Sequence, residues 1–424
     1  MIGSKMPQDG RVSQSFFQSV ALGVSLSLAV PAMAFADSPM STENAVEEDA
    51  NTISEHEGEV SAFEVPDDLS EQSRDWLVAL GSNVLRQLAQ DASSTYVISP
   101  LGLGTVLSML ADGAGGDTAN GYAAGLGIAA STALDTVASS WRDMSEPLTG
   151  VTLQGASGLW LASDFELHST YVERSRELLD ASVTHVDFHD PEVLDQINAW
   201  FAERTEDMIP KLLEDLSPET QIVLGNALYL DAQWQTAFDP DLTKTSDFVT
   251  AMNETLEVQM MQQEGHFLYR SDDLFQAVSL PFADPDFVMT VYLPHEEATA
   301  ELVLNQDEGF GLDGFRPKHG IVELPRLDIH VGGDVSEILR SMGMLDGTDY
   351  SAMTDSPLLI DRVVQQVALK LHEDGATAAA ATAATGVRSA APEHFHLRAD
   401  RPFALAITHV PTSTPLFMGI INSP

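Results

Sequence analysis

Side chains that could do chemistry of their own are few and scattered in this sequence. There is no cysteine, which excludes disulfides, thiolate nucleophiles and Cys-based zinc sites. Twelve histidines are spread over 424 residues, and His394-x-His396 beside Glu393 is the only close cluster. Its i, i+2 spacing on a strand would turn both imidazoles to one side for a metal; a solvated polar loop is the plainer reading. Gly113-Ala114-Gly115-Gly116 lacks the Lys-Ser/Thr of a phosphate loop, and there is no Gly-x-Ser-x-Gly elbow. No metal, cofactor or catalytic set is expected.

What remains is Glu373-Asp374-Gly375-Ala376-Thr377-Ala378-Ala379-Ala380-Ala381-Thr382-Ala383-Ala384-Thr385-Gly386-Val387-Arg388-Ser389, almost uncharged after Asp374. Three readings compete for it. Alanine is the best helix former, so a short helix is one. A slack linker of small residues is another. The third is a solvent-exposed loop able to become a buried strand, because Ala and Thr fit a tight slot on both faces of a sheet.

The flanks favour the third. Leu359-Ile360-Asp361-Arg362-Val363-Val364-Gln365-Gln366-Val367-Ala368-Leu369-Lys370-Leu371 precedes the segment. Leu397-Arg398-Ala399-Asp400-Arg401-Pro402-Phe403 and Pro415-Leu416-Phe417-Met418-Gly419 follow it. With the Glu-x-Gly-small opening, this resembles the C-terminal third of the serpins. The resemblance extends over residues 70–424: Ser99-Pro100 with Leu107, Leu110, Gly113 and Thr118; Asn226-Ala227-Leu228-Tyr229-Leu230 with Trp234 and Phe238; Thr243 and Phe248; Val258-Gln259-Met260-Met261; Leu324-Pro325-Arg326-Leu327; Met342-Gly343-Met344.

The resemblance implies a reactive-centre loop over about 373–397. Its hinge would be Glu373, Gly375, Ala376, Thr377, Ala378, Ala379, Ala380, Ala381 and Thr382. It implies a suicide-substrate inhibitor of serine proteases. The protease forms an acyl-enzyme at the loop; the cut loop then inserts into the main sheet and carries the protease away before deacylation. Residues 376–388 would span about 40 Å as a strand, with no charge, bulky group or proline up to Thr385. The reactive bond is either Arg388–Ser389, suited to a trypsin-like pocket, or Ser389–Ala390, suited to elastase- or subtilisin-like pockets. The family's buried shutter falls on Ser99, Asn226 and Gln365, and its breach on Trp234, Arg326 and Glu373. Thr95, Gly102 and Gln365 depart from the usual Asn, Ser and His.

Hydrophobic periodicity shows which elements would hold these residues. Helices are expected at 69–90, 101–111, 169–181, 191–215 and 334–342. Strands are expected at 96–98, 151–162, 221–231, 256–269, 275–282, 287–293, 320–329 and onward to the end. Helices early and strands late, without βαβ alternation, indicate an α+β domain with large, mostly antiparallel sheets. The serpin fold implies about eight to nine helices.

Residues 1–36 read as an export signal, with Lys5 and Arg11 before an apolar core at 20–30 and Ala32-Met33-Ala34 or Ala34-Phe35-Ala36 as a cleavage pattern. Residues 37–62 read as an acidic disordered spacer, and 63–424 as one domain. A bacterial family member, periplasmic or extracellular and monomeric, is expected. The formal charge of −44 argues against nucleic acid and anionic membrane surfaces as partners, because both are polyanions. High-salt adaptation and a plain acidic secreted protein both fit that charge. Residues 133–148 carry only Arg142 as a cation, which disfavours glycosaminoglycan binding. The alternative function is a non-inhibitory binding or chaperone-like module, or a plain protease substrate.

Overall fold

The structure is a computed structural model that describes residues 71–90, 94–144, 148–296, 298–305, 312–377 and 394–424. The leader, the acidic spacer, hinge residues Ala378 to Thr382 and the bond at Arg388, Ser389 and Ala390 lie outside the described residues.

Helix α1 (Glu71–Leu88) buries Trp76, Leu77, Leu80, Val84 and Leu85, the stripe expected from their spacing of three and four. After β1 (Tyr96–Ile98), α2 (Pro100–Gly113) starts at Ser99, whose Oγ accepts from Gly102 N, with Pro100 in the first turn. Helix α2 is apolar all round because it runs through the core, where all its residues but Asp112 are buried. Two helices, α3 (Gly116–Leu126) and α4 (Ala130–Asp143), escape the periodicity reading. The stripe in α4, Ala130, Ala133, Leu134, Val137 and Ala138, is regular but built mostly of alanine, and α3 buries only Thr118, Tyr122 and Leu126.

Strand β2 (Val151–Ala162), α5 (Ser169–Leu179), β3 (Ser182–Val186) and α6 (Glu192–Arg204) follow. The helix expected to reach 215 stops at Arg204, because Glu206 and Asp207 take positive φ values of 50° and 61°. Next come β4 (Ile222–Ala232), β5 (Trp234–Thr236), β6 (Lys244–Val249), β7 (Thr255–Ser271), β8 (Phe275–Pro281) and β9 (Phe287–Pro294). The strand expected at 320–329 is two strands, β10 (Arg316–Pro325) and β11 (Leu327–Asp334). Arg326 lies between them and donates its backbone N–H to Gln259 O. Helix α7 (Ser336–Ser341), β12 (Arg362–Leu371), β13 (Gly375–Thr377), β14 (Phe395–Arg398), β15 (Phe403–His409) and β16 (Thr414–Ile421) complete the domain. The described residues thus hold seven α-helices and one 3-10 helix, Ala300–Asn305, in the expected α+β arrangement.

Nine strands form one sheet, antiparallel throughout except where β14 joins β10 in parallel. The other large sheet has the order β11-β12-β4-β2-β3 and is mixed: β12–β4 and β2–β3 are parallel. One face of this second sheet packs on the main core around α2. The other is covered by α6, whose Ile197 and Phe201 pack with Leu212 and Leu213 over Val223, Ala227, Val364 and Ala368. Gly225 lies under α6, where a Cβ would come 2.7 Å from both Phe201 and Leu212 side chains.

Candidate functional site

The loop that the sequence singles out leaves the protein at the end of β12, and the hinge is built there. Glu373 is buried, at 6% exposure. Its carboxylate accepts from Arg326 Nε (2.9 Å to each oxygen), Arg326 Nη2 (2.7 Å) and Thr243 Oγ1 (2.7 Å). Burial pushes the carboxyl up, but these hydrogen bonds and the arginine's charge outweigh it and hold the pKa below the ordinary 4.5. The expected Glu373–Arg326 contact is therefore a forked, charge-assisted bond. Thr243 is a third member that sequence reasoning placed only as a family landmark.

Trp234, the other breach residue, is 2% exposed and donates its indole N–H to His372 O at 2.7 Å. Its ring stacks on Phe282 at 4.8 Å and meets Phe238 edge-on. Its backbone N–H donates to Asp374 O, and Phe238 N donates to Glu373 O. The chain then runs in parallel register with β5, Gly375 beside Trp234 and Thr377 beside Thr236. Glycine is required at 375: a Cβ would lie 2.4 Å from the backbone N of Ala237. Backbone contacts of β5, with Trp234 and Arg326, thus fix Glu373, Asp374 and Gly375 where they leave the sheet.

Below the hinge, β12 and β4 pair directly through nine register positions, from Lys370–Asp231 to Arg362–Val223. We call this junction the seam. Gln365 and Asn226 face each other across it. Gln365 Nε2 donates to Asn226 Oδ1 at 3.1 Å and to Ser99 O at 2.9 Å; Ser99 N donates to Gln365 Oε1 at 2.9 Å. Asn226 Nδ2 donates to Ser157 Oγ at 3.1 Å. Ser99, Asn226 and Gln365 come together as expected, all buried and all satisfied. Gln365, a departure from the usual histidine, fills the role with an amide that donates and accepts. At the far end, Asp361 accepts from Gln221 N and Ile222 N, and Arg362 Nη1 donates to Asp215. This latch was invisible in the sequence, because its partners are far apart in the chain.

Thr95 bonds Ser423 O and accepts from Asn422 N and Ser423 N, so it ties down the C-terminal strand. His394 and His396 engage different partners. His394 Nδ1 lies 2.7 Å from His319 Nδ1, and His396 Nε2 lies 2.7 Å from Glu323. Among the described residues, no group of three or more His, Asp or Glu side chains could hold a metal ion.

Residues 77–424 match the family described as Serpin (serine protease inhibitor). Glia-derived nexin of Homo sapiens is 31% identical over 383 residues, covering 82% of this chain and 94% of that protein. Serpin B6 of Pongo abelii is 29% identical over 363 residues, covering 81% and 96%. A crystal structure of native protease nexin-1 with heparin superposes with a TM-score of 0.74 at 27% identity, covering 83% of this chain and 99% of the other. With the buried hinge, the seam and the match over residues 77–424, the chain belongs to the serpin family.

Proposed function

We propose that this serpin is inhibitory: a suicide substrate that traps serine proteases by loop cleavage, acyl-enzyme formation and insertion of residues 376–388 between β4 and β12. The carrying observation is the direct, parallel β4–β12 pairing immediately below a tightly held hinge. A segment that turns back after β12 runs antiparallel to β12 and, since β4 and β12 are parallel, antiparallel to both neighbours. It replaces one parallel ladder with two antiparallel ones, which are slightly more stable per residue. At about 0.5–1.5 kcal/mol net per hydrogen bond, the added ladder contributes on the order of 10 kcal/mol.

The walls of the seam match the loop's composition. Above it lie Phe201 and Leu212 of the α6 layer, below it Ser99 and the core face of α2. A strand threaded there has its alternate residues pressed on both faces, which suits Ala and Thr and excludes charge. The loop's length and the lone strong specificity element, Arg388, support Arg388–Ser389 or Ser389–Ala390 as the reactive bond. An exported bacterial setting belongs to the same reading. It is supported by the leader pattern at 1–36, and among the described residues no helix is long and apolar enough to cross a membrane. A monomer forming a 1:1 covalent complex is the corresponding assembly.

A panel of trypsin-, elastase- and subtilisin-like proteases tests the proposal. The expected result is an SDS-resistant complex with at least one of them, and release of a C-terminal fragment beginning at Ser389 or Ala390. Cleavage of the loop by every protease tried, with no complex and full protease activity, would instead make the chain a substrate or a binding module. Turnover of small ester or peptide substrates by the purified protein would overturn both.

A further inference from the structure

Gly102 stands in the first turn of α2, immediately against the seam. A Cβ built on it would fall 1.9 Å from Asn226 Oδ1, 2.7 Å from Asn226 Cγ and 3.0 Å from Gln365 Nε2. No L-side chain fits there while the two amides keep their bond. Nothing in the backbone of Gly102 itself calls for glycine, since its φ is not in the left-handed region. Helix propensity argues against it, because alanine is favoured over glycine within a helix. The glycine therefore serves the space beside it.

We propose that Gly102 is a positioning residue of the seam: the side chain it lacks is the volume in which Gln365 and Asn226 close their amide bond between β12 and β4. Four elements meet at this point. Ser99, the cap of α2, holds Gln365 through its N–H and its carbonyl, and holds Gly102 N through its hydroxyl. Gln365 reaches Asn226, and Asn226 reaches Ser157 on β2. The helix start is thereby locked to three adjacent strands, β12, β4 and β2, through buried groups none of which titrates. Gly102 and the Asn226–Gln365 bond are matched: Asn226 Oδ1 occupies the place where a Cβ on the helix would stand, with Gln365 Nε2 at its edge.

The inference concerns the intact protein, and it rests on the inhibitory reading only where activity is measured. The test is a double-mutant cycle in the mature chain with Gly102→Ala, Asn226→Ala and both together. Melting of the intact protein and hydrogen exchange of the β4 and β12 amides are followed in all four proteins. G102A is expected to lower the melting midpoint by about 5 °C and to deprotect both strands, against the sign that helix propensity alone gives. In the N226A background, where Oδ1 is gone, the same alanine is expected to cost nothing further. Where the wild type forms protease complexes, G102A is also expected to lose inhibitory capacity on storage several-fold faster, because the seam opens more readily. A rise or no change in the midpoint of G102A overturns the proposal, as does an equal cost of the alanine in both backgrounds. If the wild type fails to form complexes, the inhibitory reading falls, while melting and exchange still decide the role of Gly102.

Discussion

The β15–β16 hairpin and the β4–β12 seam are both buried strand pairs, yet they are closed by different means. Strand β16 is buried at every position and β15 nearly so; away from the turn they pair mainly Phe, Leu, Ile, Ala and Met, and a short turn holds them in antiparallel register. The seam joins two strands far apart in the chain, in parallel, with a polar bond across its middle and small residues on the α6 face. A hairpin re-forms locally whenever it frays. The seam has no short connection to restore it, and its parallel ladder is the weaker kind. One region fixes the fold, and the other is where the proposed function has a further strand enter.

Substitution in the loop gives the largest expected effect. Ala380→Glu would carry a charge into the seam, where burial without a partner is strongly unfavourable. Inhibition is expected to fall more than tenfold, at about 1.4 kcal/mol per decade, with the melting of the intact protein unchanged. Titration of protease with the variant, beside a melting scan, checks both halves. Equal inhibition by A380E would remove the seam from the mechanism.

Truncation separates the two regions next. Leu405→Ala in β15 should cost about 2–5 kcal/mol of intact stability through the cavity it leaves. Asn226→Ala should cost about 1–3 kcal/mol, because it leaves Gln365 without one partner. Denaturant melts give both numbers. Hydrogen exchange should place the loss of N226A on β4 and β12 and that of L405A across the nine-stranded sheet.

The hinge supplies a pH dependence. Because the folded pKa of Glu373 is below its unfolded value, its contribution to stability is fully present above about pH 4.5 and is lost as pH falls through the lower folded value. Glu373→Gln should flatten the stability profile below pH 4.5, an effect read from melts at stepped pH. An unchanged acid limb would show that the forked bond to Arg326 contributes nothing at the hinge.

The smallest effect belongs to the hairpin side. Burial pushes His409 below its ordinary 6.5, against the pull of Asp286, Asp143 and Asp284. The folded state therefore resists its protonation, and stability declines as pH falls through 6.5. His409→Gln should remove a shallow slope that begins as pH falls below about 6.5. The seam contributes no slope in that window, since Ser99, Asn226 and Gln365 do not titrate.

Much of this was legible in the sequence because it is carried by order along the chain. Ser99-Pro100, the run from Asn226 to Leu230, Arg326 after Leu324-Pro325, and Glu373-x-Gly375 each mark a position in the fold, and the structure brings them to the hinge and the seam. The apolar spacing in α1 and the long strands carried the rest. What stayed hidden depends on contacts between distant segments, or on small residues that make a weak apolar stripe. Helix α4 buries mostly alanine, and α3 buries only Thr118, Tyr122 and Leu126. The break at Arg326 is marked only by Pro325 and a one-residue change of phase, from Val322 and Leu324 to Leu327 and Ile329, within a run that otherwise reads as one strand. In the sequence Gly102 is only a departure from the usual serine; the space taken by Asn226 Oδ1 gives it a reason.

The central claim is that the seam between β4 and β12 takes in the loop once the peptide bond after Arg388 or Ser389 is cut. The most direct test is the melting midpoint of the purified protein before and after quantitative cleavage at that bond. The account predicts a large rise, accompanied by new exchange protection along the facing edges of β4 and β12. An unchanged or lower midpoint, with those edges exchanging as in the intact protein, would contradict it.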